Sequence, residues 1–416
     1  MRLKRYLTSD PVWVFTTNFC EGFPYTVIRV ISNFYLATTQ VAVELIGLTA
    51  LFGIPWTFKF LWSPFIDRFL SRRQWILLMQ ALLMVVAALL TLLSPFPGLV
   101  PTMFVIFFVG SVFAATNDVA TDGYYMEALS EERQARWVGL RVLAYRIAMM
   151  AGTGVVATVG AVASWPLAFL LAAVIMGAFF LYHLFFLPRP PAKEAGEKVA
   201  GTVVPYFEAF LTYLQRPRIV ATLLFIVFLR AGEYMLHAMV SPFFVSIGIA
   251  AHYGWISSFV GLPATIAGAL AGGWLIARFG LARMLWPLVL FQNLTNLLYT
   301  GLAYRLQGGE YGELFRVISA ATVNGIENLS SGMGNAVLVV FLMRLCHNDF
   351  RAAHYAIGSG LMGLAGIFAG SVSGFIVRDH GYALMFLASF VAALPALLAI
   401  PRLHIPTEFD KRPADT

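Results

Sequence analysis

Apolar residues run along this chain in blocks of about twenty or more, separated by short polar connectors, and inside the blocks they do not alternate with period two. Such blocks predict helices that cross a membrane, and the missing alternation argues against a membrane barrel. Reading the blocks between connectors places spans at about residues 11–37, 42–64, 74–93, 99–124, 137–162, 165–188, 218–247, 252–277, 283–304, 313–344, 351–377 and 382–402. The expectation is an all-α integral membrane protein of about 12 helices.

The connectors differ in charge. MRLKRY, DRFLSRRQ, EERQAR, the stretch from RPRPPAKEAGEK to QRPR, ARFGLAR, MRLCHNDFR and the tail hold most of the Lys and Arg. The alternate connectors ATTQVA, SPFPGLVP and VASWP hold none, and RLQGGEYGE and VRDHGY hold one Arg each. Basic residues collect on the cytoplasmic side, so both termini are expected there. The long polar stretch at 189–217, rich in Pro, Lys and Glu, reads as a cytoplasmic linker. It divides a six-helix bundle at 1–188 from another at 218–402, with a cytoplasmic tail at 403–416.

Composition strengthens this picture. The chain has 416 residues, of which 59% are hydrophobic and 12% charged, with a mean hydropathy of +0.77. A soluble domain carries about twice that share of charge, so an aqueous surface cannot be built from this supply. The net charge of +7 is spread over the connectors, which fits membrane topology and not nucleic-acid binding. The basic start lacks a small-residue cleavage site after a short apolar core, so the first helix is read as retained. Cys20 and Cys346 fall in or beside spans, which argues against a disulfide framework. No P-loop or metal-ligand spacing occurs. GSGLMG at 358–363 lies inside an apolar span without a preceding strand, so it is not read as a nucleotide loop. The chain is not expected to be an enzyme or to need a cofactor.

The halves echo one another. SPFIDRFLSRR after the second span is matched by GGWLIARFGLAR after the eighth, so that Arg68 aligns with Arg278, and nearly the same shift sets Glu21 on Glu233. Two repeated six-helix halves with a substrate site near mid-membrane are how many secondary transporters are built. The element of Asp67, Arg68, Arg72 and Arg73 is of the kind seen in major facilitator transporters, and with the repeat it makes that 12-helix fold the expected architecture.

Charged groups inside spans are costly and usually face a wet cavity with a partner. Here they are Glu21 and Arg29 in the first span, Lys59 in the second, Asp118 and Asp122 in the fourth, Arg141 and Arg146 in the fifth, Arg230 and Glu233 in the seventh, and Glu327 in the tenth. In the major facilitator fold the first, fourth, seventh and tenth helices line the central cavity, and all the acids lie on those. Glu21, Glu233 and Glu327 fall near mid-span, where a desolvated carboxyl can load and release a proton. Arg230, three residues before Glu233, is placed to hold it, and His237, one turn on, to join a relay. Arg29, two turns past Glu21, reads as a basic group for an anionic substrate. Static salt bridges are the alternative in each case. The groups nearer the cytoplasmic ends read either as a gate, with Asp118 or Asp122 paired to Arg146 or Lys59, or as contacts to substrate. Gly22 and Pro24 are placed to loosen the first helix beside Glu21, and the glycines of GLMGLAGIFAGSVSG to let helices approach closely.

KFLWSPFIDR at 59–68, NDVATDGYYME at 117–127, LAYRIAMMAG at 143–152 and ENLSSGMGNAVLVVFLMRLC at 327–346 resemble the AmpG-like muropeptide permeases, a branch of the major facilitator superfamily that also contains acetyl-CoA transporters. The resemblance implies proton-driven import of peptidoglycan fragments across the bacterial inner membrane. Carried over residue by residue, it implicates Lys59, Asp67, Arg68, Asp118, Asp122, Tyr145, Arg146, Glu327 and Asn328. The sequence departs from the pattern in Glu21 and Arg29 of the first helix; relatives in the branch handle ferric siderophores and acyl-CoA, which are the alternative substrates. The expectation is therefore a monomeric, proton-coupled transporter of a polar anionic small molecule in the lipid bilayer. Arg29, Glu21, Arg230, Tyr25, Asn324 and Asn328 are expected at the substrate and Glu233, Glu327 and His237 at the proton. Lys59, Asp67, Arg68, Asp118, Asp122, Arg141, Tyr145 and Arg146 are expected at gates. A non-transporting membrane sensor is the reading from another class.

Overall fold

A computed structural model of the chain describes residues 2–189, 211–215, 217–307, 309–345 and 351–403. Most of the 189–217 linker, all but the first residue of the 403–416 tail, Cys346 and the side chain of Asp67 lie outside the described residues. Among the described residues the regular structure is all helical, and nine helical stretches are long and apolar enough to cross a membrane. Many side chains on their surfaces are apolar; Phe185, Leu270, Phe368 and Leu398 are 69–74% exposed, which suits lipid and not water.

The structure resolves what hydropathy blurred. Arg351–Ala399 is continuous apart from Gly381, whose φ of 79° and ψ of 171° break it where two spans were expected. Leu281–Gln307 is a helix whose lower hydropathy comes from Gln292, Asn293, Asn296 and their polar neighbours. The first span is three segments: an α-helix at Asp10–Thr26, a π-helical stretch at Val27–Ile31, and an α-helix at Ser32–Thr38. The second alternates α-helix at Val43–Leu48, 3-10 helix at Thr49–Gly53, α-helix at Ile54–Phe58 and 3-10 helix at Lys59–Leu61.

One boundary is corrected. EERQAR is not a connector but the first turns of the helix Glu131–Met150. Ser130 is extended at its N-cap, and Glu131 and Glu132 lie in its first turn, where negative charge meets the positive end of the helix dipole. A better-defined start precedes Arg72–Leu93, where Ser71 and Gln74 form a capping box.

The chain forms two compact units. The first contains the described residues within Met1–Ala42, Leu51–Glu194 and Ala250–Phe259; the second contains those within Val43–Ala50, Ala195–Ile249 and Val260–Thr416. Val43–Ala50 groups with the second unit and Ala250–Phe259 with the first. In the first unit Trp13, Val14, Ile76, Tyr124, Tyr125 and Leu187 pack together, with the Trp13 and Tyr124 rings edge to face at 5.0 Å. In the second, Phe225, Leu229, Leu285, Val289, Phe341 and Leu397 form part of a larger core. Glycines permit the tightest crossings. In the pair Leu262–Phe279 and Glu313–Leu345, a Cβ on Gly268 would lie 1.9 Å from the Leu329 carbonyl oxygen, and one on Gly332 would lie 2.1 Å from that of Thr265.

Candidate functional site

In the second unit Arg230, Glu233, His237 and Glu327 form one connected line. Arg230 and Glu233 lie one turn apart on the helix Ile219–Ser246, so both project from one face. Arg230 Nη1 donates to Glu233 Oε2 at 2.6 Å, and Gln292 Nε2 donates to the same oxygen at 2.9 Å. Ser331 Oγ donates to Glu233 Oε1 at 2.5 Å. The carboxyl thus receives donors from three helices, which is what a buried charge requires. The guanidinium also lies 5.1 Å from the centroid of the Tyr234 ring.

His237 continues the line. Its Nδ1 is 4.0 Å from Glu233 Oε1 and its Nε2 is 3.5 Å from Glu327 Oε1. Glu327 is 1% exposed, whereas the His237 side chain is 40% exposed. The imidazole therefore stands between two buried carboxyls with an edge open to solvent, a placement suited to passing protons. Asn328 Nδ2 donates to Glu327 Oε2 at 3.1 Å, while Thr265 Oγ1 donates to Asn328 Oδ1 at 2.9 Å. Asn324 is buried and donates to the Tyr299 hydroxyl at 3.0 Å.

The first unit has a separate cluster. Asp118 and Asp122 lie one turn apart on Val100–Ala128. Lys59, in its 3-10 turn, pairs with Asp118, and Arg141 on Glu131–Met150 pairs with Asp122. Arg141 Nη2 also lies 3.7 Å from Glu21 Oε2 and the guanidinium sits 5.3 Å from the Tyr125 ring centroid. Arg141, and not Arg146, is thus the arginine at the paired aspartates; Arg146 Nη1 instead reaches Met149 Sδ at 3.7 Å. Both ion pairs join helices of one unit, so as seen here they brace that unit.

The neighbouring residues complete this cluster. Tyr25 lies between Trp56 and Tyr145, with ring centroids at 5.2 and 6.1 Å. The Arg29 side chain has a partner in this structure, and its guanidinium packs on Gly53, where a Cβ would come within 3.0 Å. Arg68 is exposed beside the Phe69 ring. Gly22 lets the first helix press on Glu131–Met150, since a Cβ there would lie 2.9 Å from the Tyr145 carbonyl oxygen.

Several contributors carry no charge and were missed in the sequence. Gln292 is held against Glu233 because Gly334 leaves space: a Cβ there would lie 1.6 Å from Gln292 Oε1. Asn117 Nδ2 donates at 3.1 Å to the carbonyl of Cys20, the acceptor that Pro24, four residues on and without an N–H, leaves unused. Polar residues inside apolar spans, as in FQNLTN and ATND, were the available signal.

Comparison with known proteins agrees with this architecture. Residues 14–309 match the family model of the Major Facilitator Superfamily. The anhydromuropeptide permease of Escherichia coli K12 is 28% identical over 394 residues, covering 92% of this chain and 77% of the permease. An uncharacterized protein of Haemophilus influenzae is 28% identical over 403 residues, covering 92% of each. Among solved structures, the nucleoside transporter NupG superposes with a TM-score of 0.75 at 14% identity, covering 94% of this chain and 99% of that one. The inward-open xylose transporter XylE from E. coli superposes with a TM-score of 0.70 at 14% identity, covering 97% and 98%.

Proposed function

The chain belongs to the major facilitator superfamily and is a multi-pass membrane transporter, and from that premise we propose that it imports a muropeptide or similar polar anionic metabolite across the bacterial inner membrane, driven by protons. In this reading about 12 helices cross the membrane and both termini are cytoplasmic. The observation that carries the coupling is His237 between Glu233 and Glu327, two buried carboxyls on different helices joined through one partly exposed imidazole. A proton arriving at the imidazole passes to either carboxyl by a small shift, and protonating Glu233 frees Arg230 for an anionic group of the substrate. Loading of proton and substrate are thereby linked. Asn324, Asn328 and Tyr25 are proposed to contribute neutral hydrogen bonds to substrate, and Arg29 a second positive charge. Lys59, Asp118, Asp122, Arg141, Tyr145 and Arg146, together with Asp67 and Arg68, are proposed to control opening at the cytoplasmic side. The choice of muropeptide rests on the similarity to the E. coli permease.

The test is uptake of labelled anhydromuropeptide into proteoliposomes under an imposed pH gradient. The wild type should accumulate it, and an uncoupler should abolish accumulation. Glu233→Gln should lose gradient-driven uptake while retaining exchange across the membrane. Unchanged proton dependence in that variant removes Glu233 from the mechanism. Binding without accumulation points to a sensor, and accumulation of a ferric siderophore or an acyl-CoA in place of the muropeptide reassigns the substrate.

A further inference from the structure

A polar cavity of about 850 Å³ lies within the second unit and shares no residue with the Arg230–Glu233–His237–Glu327 line. Its volume falls in the range of small-molecule sites, ~300–1,000 Å³. Helix ends build it. Ile247 and Gly248 follow the helix Ile219–Ser246, and Arg316 stands in the first turn of Glu313–Leu345. Glu310 and Tyr311 come from the connector before that turn, and Tyr382 follows the break at Gly381. Spanning helices end in the headgroup region, so the cavity sits at the boundary between membrane and water.

Arg316 is the cation in the wall. Its Nη1 donates to the Ile247 carbonyl at the C-terminal end of Ile219–Ser246, where positive charge is favourable. Gly248, at a φ of 72°, makes room for it: a Cβ there would lie 2.8 Å from Nη1. That cap uses one of the five N–H donors of a guanidinium. Nε is buried with no hydrogen-bond partner among the described residues, so the fold leaves donor capacity unused beside an open cavity. Glu310, which is exposed, supplies the carboxylate of the wall. The charged residues that flank this stretch in the chain, Arg305 and Glu313, are exposed and of opposite sign, so the balance of one cation and one anion stands. The Arg305 guanidinium lies 5.7 Å from the centroid of the Tyr311 ring.

We infer that this cavity binds a zwitterionic phosphoethanolamine group, with its phosphate on the Arg316 guanidinium and its ammonium at Glu310. A wall with one guanidinium and one carboxylate calls for a ligand with both charges, since a plain anion is repelled by Glu310 and a plain cation by Arg316. Guanidinium groups pair with oxyanions through parallel donors. At the ends of spanning helices the oxyanion at hand is the phosphate of a headgroup. The same group is carried by an intact phospholipid and by free glycerophosphoethanolamine. Leu314 and Ile318, one turn apart on the helix that carries Arg316, are mostly exposed and are placed for the acyl chains of the lipid form. The site is independent of the substrate and of the proton line proposed above.

Two measurements on the detergent-solubilised full-length protein test this. Calorimetric titration with glycerophosphoethanolamine reads the free form, and native mass spectrometry with added phosphatidylethanolamine reads the lipid. Calorimetric binding at one equivalent supports a site open to the free compound; retention of one lipid without calorimetric binding assigns the intact phospholipid. In whichever arm binds, Arg316→Lys keeps a positive charge but loses the planar set of donors, and binding should weaken at least about tenfold. Glu310→Gln should weaken the phosphoethanolamine probe similarly, while glycerol 3-phosphate or phosphatidylglycerol, which lack the ammonium, should bind no more weakly than to the wild type. Absence of binding in both arms, or binding unchanged in Arg316→Lys, overturns the site. Should that variant fail to fold, the exposed Glu310 decides: phosphoethanolamine binding unchanged in Glu310→Gln, or equal losses for probes with and without the ammonium, overturns the inference.

Discussion

At the scale of single residues, charge was the signal that sequence carried best. An ionised side chain in an apolar span is expensive enough that each one marks a cavity, a partner or both, and Arg230, Glu233, His237 and Glu327 do meet in one line. Uncharged polar residues are cheaper and common in helices, so Gln292, Ser331 and Asn117 did not stand out although each holds a buried acceptor. Asn117 offers a direct test. Asn117→Ala leaves the Cys20 carbonyl with neither the proline's missing N–H nor the amide, and an unsatisfied buried acceptor costs about 1–3 kcal/mol. The melting temperature of the detergent-solubilised protein should fall accordingly; no change would show that water or a shifted backbone satisfies that carbonyl.

At the scale of elements, helix existence followed from apolar length, but helix quality did not. The π-helical stretches at Val27–Ile31 and Ala151–Ala157 and the 3-10 turns at Thr49–Gly53 and Lys59–Leu61 leave no mark in hydropathy; Pro24 precedes the first and Pro55 follows Thr49–Gly53. Glycines were legible as permissive residues, but only the structure separates those in contact from those in open space. Gly332→Ala drives a methyl into the Thr265 carbonyl, and overpacking of this kind costs about 1–3 kcal/mol. Gly273 has nothing within 4 Å of an added Cβ. Gly273→Ala should therefore leave stability unchanged or raise it by up to about 1 kcal/mol through helix propensity. Thermal denaturation of the two variants side by side checks the pair, and equal losses would refute the assignment of the tight crossing.

At the scale of the whole molecule, the charge of the connectors sets the expected topology. A fluorescent protein fused to the C-terminus in bacteria should fluoresce, and alkaline phosphatase at the same position should be inactive. Active phosphatase there would invert the topology and with it the direction proposed for transport. The two units are not continuous in sequence, because Val43–Ala50 groups with the second unit and Ala250–Phe259 with the first. In the first unit this is visible as the Phe34 and Tyr253 rings 4.4 Å apart, and in the second as the Val43 carbonyl pressed on Gly374. No local pattern announces such exchanges, since they depend on contacts between residues far apart in the chain.

The sequence by itself determined the solvent, the helical class and the family, because each depends on a property summed over many residues: apolar length, and motifs spread from the second span to the tenth. The tertiary structure alone decided partnership. Arg141 rather than Arg146 meets the paired aspartates, Gln292 completes the shell of Glu233, and Glu21 is left with a buried oxygen that no donor reaches. Partnership turns on a few ångströms between side chains from different helices, and helix crossing and rotation set those distances while leaving no trace in local hydropathy.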